Sequence, residues 1–106
     1  MSAFDRMPLN SLRVFEAVAT ALSFSEAAEA LNVTPAAVSM QIKSLEDYLQ
    51  VSLFRRNARS IELTAEGAQL LPAVRRALDE LRLAVQRLRA DRSAGPLNVS
   101  MLASFL

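Results

Sequence analysis

The chain has no cysteine and no histidine among its 106 residues. Without cysteine there are no disulfides and no thiol chemistry, and a reducing compartment is the natural setting. Without histidine, metal sites and general acid–base catalysis lose their commonest residue. Only two glycines are present, and no glycine-rich phosphate loop is among their contexts. Hydrophobic residues make up 52%, yet charges interrupt every apolar stretch before it reaches the length of a membrane span. The N-terminus lacks the basic start and apolar run of a signal peptide. Charge of one sign is also missing: twelve Lys and Arg stand against eleven Asp and Glu, a net +1, so no global field draws in a polyanion. An enzyme is therefore not expected, nor a metal site. The length suits one small domain with one core.

What the chain does have is helical periodicity. In residues 9–22, Leu9, Leu12, Phe15, Val18, Ala19 and Leu22 fall on one side, with Asn10 or Ser11 available as a cap. Ser23 and Glu26 have the spacing of a capping box, and Ala27, Ala28, Ala30 and Leu31 make a short, thin helix that lets a neighbour approach closely. Asn32 suits a left-handed turn, and Val33 is expected to plug the core behind it. Thr34 then caps a helix over residues 34–49, with Pro35 at the first position, where a missing N–H costs nothing. Val38, Ile42, Leu45 and Leu49 give that helix a buried stripe. Its opposite face is charged only in the second half; the first half offers Pro35, Ala36, Ser39 and Met40, exposed, small and nearly uncharged. This is a helix-turn-helix by spacing.

Beyond it, Val51, Leu53, Ile61 and Leu63 alternate with polar residues, the pattern of two short strands around the turn-capable "RRNARS". Arg55, Arg56 and Arg59 make this hairpin tip basic. Thr64 can cap a long helix in which Leu71, Val74, Leu78, Leu81, Val85 and Leu88 recur in steps of three and four, a heptad seam. At 1.5 Å per residue such a helix would run about 40 Å, more than a small domain can cover, so a second copy is the expected partner. Pro72 removes one amide and predicts a kink. Gly95 and Pro96 end the helix, and residues 96–106 read as the first strand of a further domain. The expected organisation is mainly α: a winged helix-turn-helix over residues 1–64, a linker or dimerisation helix over 65–92, and a hinge with the first strand of an effector-binding domain over 93–106.

The segments "PLNSLRVFEAVA", "SFSEAAEALNVTPAAVSMQIKSLEDYL", "LFRR" and "IELTAEG", in this order and spacing, resemble the N-terminal domain of LysR-type transcriptional regulators, near the glycine-cleavage activator branch. The resemblance covers residues 8–92. It implies a winged helix-turn-helix that binds double-stranded promoter DNA as a homodimer, with a tetramer open to the full-length protein, no membrane, and a cytoplasmic, nucleoid-associated location in a bacterium. No cofactor is implied for this stretch; a small-molecule effector would bind a periplasmic-binding-protein-like domain after the hinge. Carried over by position, the base-reading residues are Pro35, Ala36, Ser39 and Met40 on the helix opened by Thr34, and Arg59 is the wing arginine that enters the minor groove. The chain departs from the common pattern at Pro35, where Gln is frequent, at Met40, where His or Arg is frequent, and at Gln50, where Gly usually ends the helix.

The two readings meet at the exposed helix tip. A major groove about 12 Å wide admits a helix only if its tip is slim, and Ser39 can exchange hydrogen bonds with a base edge while Ala36, Pro35 and Met40 cover thymine methyls. Lys43, one turn on, is positioned for phosphate. Ser25 is either a phosphate-binding hydroxyl or simply a helix-start residue. Arg55 and Arg56 divide between phosphate contacts and pairing with Glu62 or Glu66. The competing reading is a helical dimeric protein-interaction module without DNA binding; it shares the heptad helix but leaves the slim tip unexplained.

Overall fold

The computed structural model describes residues 3–58 and 60–94. After a 3-10 turn at Ala3–Arg6 come three helices, α1 (Leu9–Ala21), α2 (Phe24–Leu31) and α3 (Pro35–Leu49). A two-stranded antiparallel hairpin follows, β1 (Phe54–Arg56) and β2 (Ile61–Leu63), with Phe54 opposite Leu63 and Arg55 opposite Glu62. The chain then enters the long helix α4 (Ala65–Ala94). It divides into two compact units at Arg75–Arg76, so the opening turns of α4 fall in the first of them.

The helix starts obey capping chemistry. Ser23 Oγ accepts the amide of Glu26 at 3.1 Å, and Thr34 Oγ1 accepts that of Ala37 at 3.1 Å, each relieving one of the orphan donors of a first turn. α1 differs from expectation. It starts directly after Pro8, and neither Asn10 nor Ser11 caps it. Ser11 is instead fully buried, and its hydroxyl donates to Gln41 Oε1 at 2.6 Å, tying α1 to α3.

α1, α2 and α3 each end on a left-handed residue, and none of these three is glycine. Leu22, Asn32 and Gln50 have φ of 52°, 61° and 60°. At Asn32 the turn is closed by the amide of Val33, which donates to the Ala28 carbonyl at 2.9 Å in the manner of a Schellman motif. This corrects the expectation for Val33. Its backbone closes the turn while its side chain stays exposed at the rim of a hollow that it lines with Leu31, Ala37 and Val38. Leu9 and Leu22, also expected on the buried side, are exposed; they lie at the two ends of α1, past the stripe that its neighbours cover.

The core comprises Val14, Phe15, Val18 and Ala19 from α1, the two α2 alanines, Val38, Ile42 and Leu45 from α3, then Leu53, Phe54, Leu71 and Val74. Phe54 stacks obliquely on Phe15 (centroids 5.5 Å apart) and meets Phe24 edge-on at 6.2 Å. The first strand begins three residues later than the alternation from Val51 suggested. Glu46 Oε2 accepts the amides of Leu53 at 2.7 Å and Phe54 at 3.4 Å, so a side chain takes the place of a strand partner there.

Where the hairpin meets α4, Thr64 Oγ1 donates to the Ser52 carbonyl at 2.6 Å and accepts the Gly67 amide at 3.0 Å. A Cβ at Gly67 would lie 2.3 Å from the Leu53 carbonyl oxygen, so only glycine allows this approach. Along α4 the helix continues through Pro72 without interruption. Leu71 and Val74 are buried within the single chain, whereas Leu81, Val85 and Leu88 are exposed.

Candidate nucleic-acid interface

The first half of α3 presents the surface that the sequence suggested. Thr34, Pro35, Ala36, Met40 and Lys43 are exposed and Ser39 is half-buried. Met40 is, among the described residues, the most open of the large apolar side chains at 72% exposure. Nothing in the stripe of Val38, Ile42 and Leu45 needs this face, since those side chains are already covered. Beside it runs an open groove lined by Ser39, Met40, Ile42, Lys43, Glu46 and Arg56, so α3 and the hairpin border one surface. Ser25 is exposed at the second position of α2, near an N-terminus whose free amides favour anions.

Two acidic residues near this face already have partners. Glu46 spends one carboxylate oxygen on the amides of Leu53 and Phe54, which fixes the approach of the hairpin to α3. Glu62 is divided between Arg55, whose Nη1 donates to it at 2.9 Å, and Asn57, whose Nδ2 donates at 3.3 Å. Arg55 thus takes the ion-pair option in the free chain. Both partners are more than half exposed, and such a surface pair holds only about 0–1 kcal/mol, so a phosphate can replace Glu62. Arg59 lies outside the described residues.

Among the described residues Arg56 pairs with neither Glu62 nor Glu66. Its guanidinium carbon lies 4.5 Å from the centroid of the Phe24 ring, a cation–π contact, and its Nη2 donates to Ser39 Oγ at 3.5 Å. It therefore touches the start of α2, the exposed face of α3 and, through its own backbone, the hairpin. Sequence reading missed this arrangement. Phe24 and Arg56 are 32 positions apart and carry no local pattern that pairs them; only the packing of Phe24 against Phe54 brings them together.

Of the six seam residues, Leu71 and Val74 lie in the unit that ends at Arg75, and Leu78 is half-buried. Leu81, Val85 and Leu88 remain as an uncovered stripe, and Leu83 is exposed off it. Among the described residues no helix is long and apolar enough to cross a membrane.

Comparison with known proteins gives a consistent result. Residues 9–68 match the family model described as "Bacterial regulatory helix-turn-helix protein, lysR family". The glycine cleavage system transcriptional activator of Escherichia coli K12 is 52% identical over 98 residues, which are 92% of this chain and 32% of that protein. The HTH-type transcriptional activator AmpR of Providencia stuartii is 44% identical over 100 residues, 94% of this chain and 34% of that protein. The chain thus spans about a third of the length of the curated relatives it matches. Among solved structures, the CbnR_DBD–DNA complex superposes with a TM-score of 0.70 at 38% identity, covering 79% of this chain and 97% of that one. The BenM_DBD complex with benA site 1 DNA gives a TM-score of 0.72 at 31% identity, covering 79% and 94%.

Proposed function

The chain belongs to the lysR family of bacterial regulatory helix-turn-helix proteins, and on that premise we propose that it is the DNA-binding part of a transcriptional regulator. It binds duplex promoter DNA with the first half of α3 in the major groove. The observation that carries this reading is the exposed, slim and nearly uncharged face of Pro35, Ala36, Ser39 and Met40 on a helix whose other side is committed to the core. A helix that served only to pack would have no use for such a tip beside a basic hairpin. Similarity to two domains solved with DNA supports the same reading.

Ser39 and Met40 contact base edges, with Pro35 and Ala36 against thymine methyls. Lys43, Ser25, Thr34 and Arg55 serve phosphates, which orient a protein on the duplex without reading its sequence. Arg59 enters the adjacent minor groove, where a narrow A·T-rich stretch attracts arginine. Leu81, Val85 and Leu88, with Leu78, pair with their copies in a second chain, and the heptad seam from Leu71 and Val74 sets the register. Two recognition helices related by a two-fold axis then require an interrupted inverted repeat. A small-molecule effector acts through a domain outside this chain, in keeping with the greater length of the relatives, and the protein works in the bacterial cytoplasm.

Fluorescence anisotropy on specific and random duplexes tests the assignment. Ser39→Ala and Met40→Ala are expected to cost about 1–3 kcal/mol each on the specific duplex and little on random DNA. Lys43→Ala should weaken both alike and lower the salt slope by roughly one unit. Equal losses on both duplexes for all three variants would mean that another face binds. A chain that dimerises yet binds no duplex at any salt concentration would be an interaction module instead.

A further inference from the structure

Of Pro35, Ala36, Ser39 and Met40, only Ser39 carries a polar side chain, so the hydrogen-bonding part of any base readout by this tip falls on one hydroxyl. A serine hydroxyl is ambiguous: it has one hydrogen to donate and two lone pairs to accept with, and it rotates to suit its neighbours. Left to itself it could serve an acceptor such as guanine O6 or a donor such as cytosine N4–H2.

Here it is not left to itself. Arg56 Nη2 lies 3.5 Å from Ser39 Oγ. A guanidinium only donates, so whatever it exchanges with Ser39 engages a lone pair of the oxygen. At this distance, at the long end of the hydrogen-bonding range, much of the effect is the positive charge turning the O–H dipole away. Arg56 is itself held in position. Its guanidinium sits 4.5 Å over the Phe24 ring, Phe24 meets Phe54 at 6.2 Å, and Phe54 rests on the fully buried Phe15 at 5.5 Å. This row of rings links the guanidinium to the core. Among the described residues Arg56 has no acidic partner, whereas its neighbour Arg55 is paired with Glu62.

We propose that Arg56 is a specificity-determining positioning residue: stacked on Phe24, it engages one lone pair of the Ser39 hydroxyl and turns the O–H away from itself, and so biases Ser39 to donate toward DNA. The base favoured opposite Ser39 is then one that offers an acceptor in the major groove, N7 or O6 of guanine, N7 of adenine or O4 of thymine, and the N4 amino group of cytosine is disfavoured. The inference rests on the reading of α3 as the base-reading helix and adds the sign of the contact that Ser39 makes.

The test is selection of binding sites from a random duplex pool by the unaltered chain and by Arg56→Met, Ser39→Ala and the double variant, with circular dichroism confirming each fold. The unaltered chain should disfavour cytosine at one position, by roughly fivefold or more. Ser39→Ala should identify that position by losing its preference there. Arg56→Met should relax the same position toward cytosine and leave preferences elsewhere unchanged, and in the Ser39→Ala background it should change nothing further at that position. If Arg56→Met fails to fold, Phe24→Leu removes the ring face while keeping an apolar residue, and should relax the same position in the same direction. Uniform weakening on all sequences with the preference intact would make Arg56 a phosphate contact and overturn the inference alone. Failure of the unaltered chain to select any sequence would overturn the DNA-binding reading and the inference with it.

Discussion

In the first half of α4, Leu71 and Val74 are 7% and 5% exposed; further along the same repeat, Leu81, Val85 and Leu88 are 62%, 51% and 65% exposed. The side chains are of one kind and the spacing is unbroken, yet one half is core and the other is surface. A heptad pattern specifies which residues share a face of a helix, not what that face meets. The first half is held by its approach to the winged fold, with the Gly67 backbone against the Leu53 carbonyl and Arg75 Nη2 donating to Thr20 Oγ1 at 3.1 Å. Past Arg76, Arg82 makes an exposed pair with Asp79 three residues earlier. The exposed stripe there is what a second copy would cover, and contiguous apolar patches of this sort on soluble proteins commonly mark contact sites.

The contrast can be broken from either end. Leu71→Ala should have the largest effect on folding, about 2–5 kcal/mol, because it removes buried methyl groups and leaves a cavity. Urea denaturation followed by circular dichroism would measure it, and a loss below about half a kcal/mol would mean that Leu71 is not part of the core. At the distal end, Leu81→Asp with Leu88→Asp should leave the winged fold intact and weaken association by several kcal/mol, about the penalty for bringing like charges together in an interface. Sedimentation equilibrium distinguishes the cases: a dimer that survives both charges has its seam elsewhere. Gly67→Ala sharpens the comparison at the junction, where a methyl group meets a backbone carbonyl that cannot swing aside. It should cost about 1–3 kcal/mol of folding stability and leave association of the folded chains unchanged.

Much of the architecture was legible because it rests on local chemistry. Ser23 and Thr34 cap as their spacing indicated, Gln50 takes the positive φ expected of the position usually held by glycine, and Thr64 opens α4. The helix-turn-helix and the heptad helix follow from periodicity alone. What was not legible depends on distant contacts. Ser11 had the composition of a cap, but the partner that claims it, Gln41, is thirty residues away. The late start of β1 follows from Glu46 reaching two amides across the turn, which no strand pattern encodes. Val33 had the hydrophobicity of a plug, but its position just past the left-handed Asn32 leaves its side chain exposed. At the interface, the exposed tip of α3 could be read from what its stripe leaves over, whereas the link from Phe24 through Arg56 to Ser39 exists only once three elements are packed.

The central claim is that two copies of this chain present two recognition helices to one duplex, and hydroxyl-radical footprinting tests it most directly. The duplex is one selected from a random pool by the unaltered chain, and the protein is at saturating concentration. Two protected half-sites should appear, related by a two-fold axis, their centres separated by about 10 base pairs or a multiple of that, as one helical turn requires. The Leu81→Asp, Leu88→Asp variant should lose the paired pattern. A single asymmetric half-site protected at saturation by the unaltered chain would contradict the account.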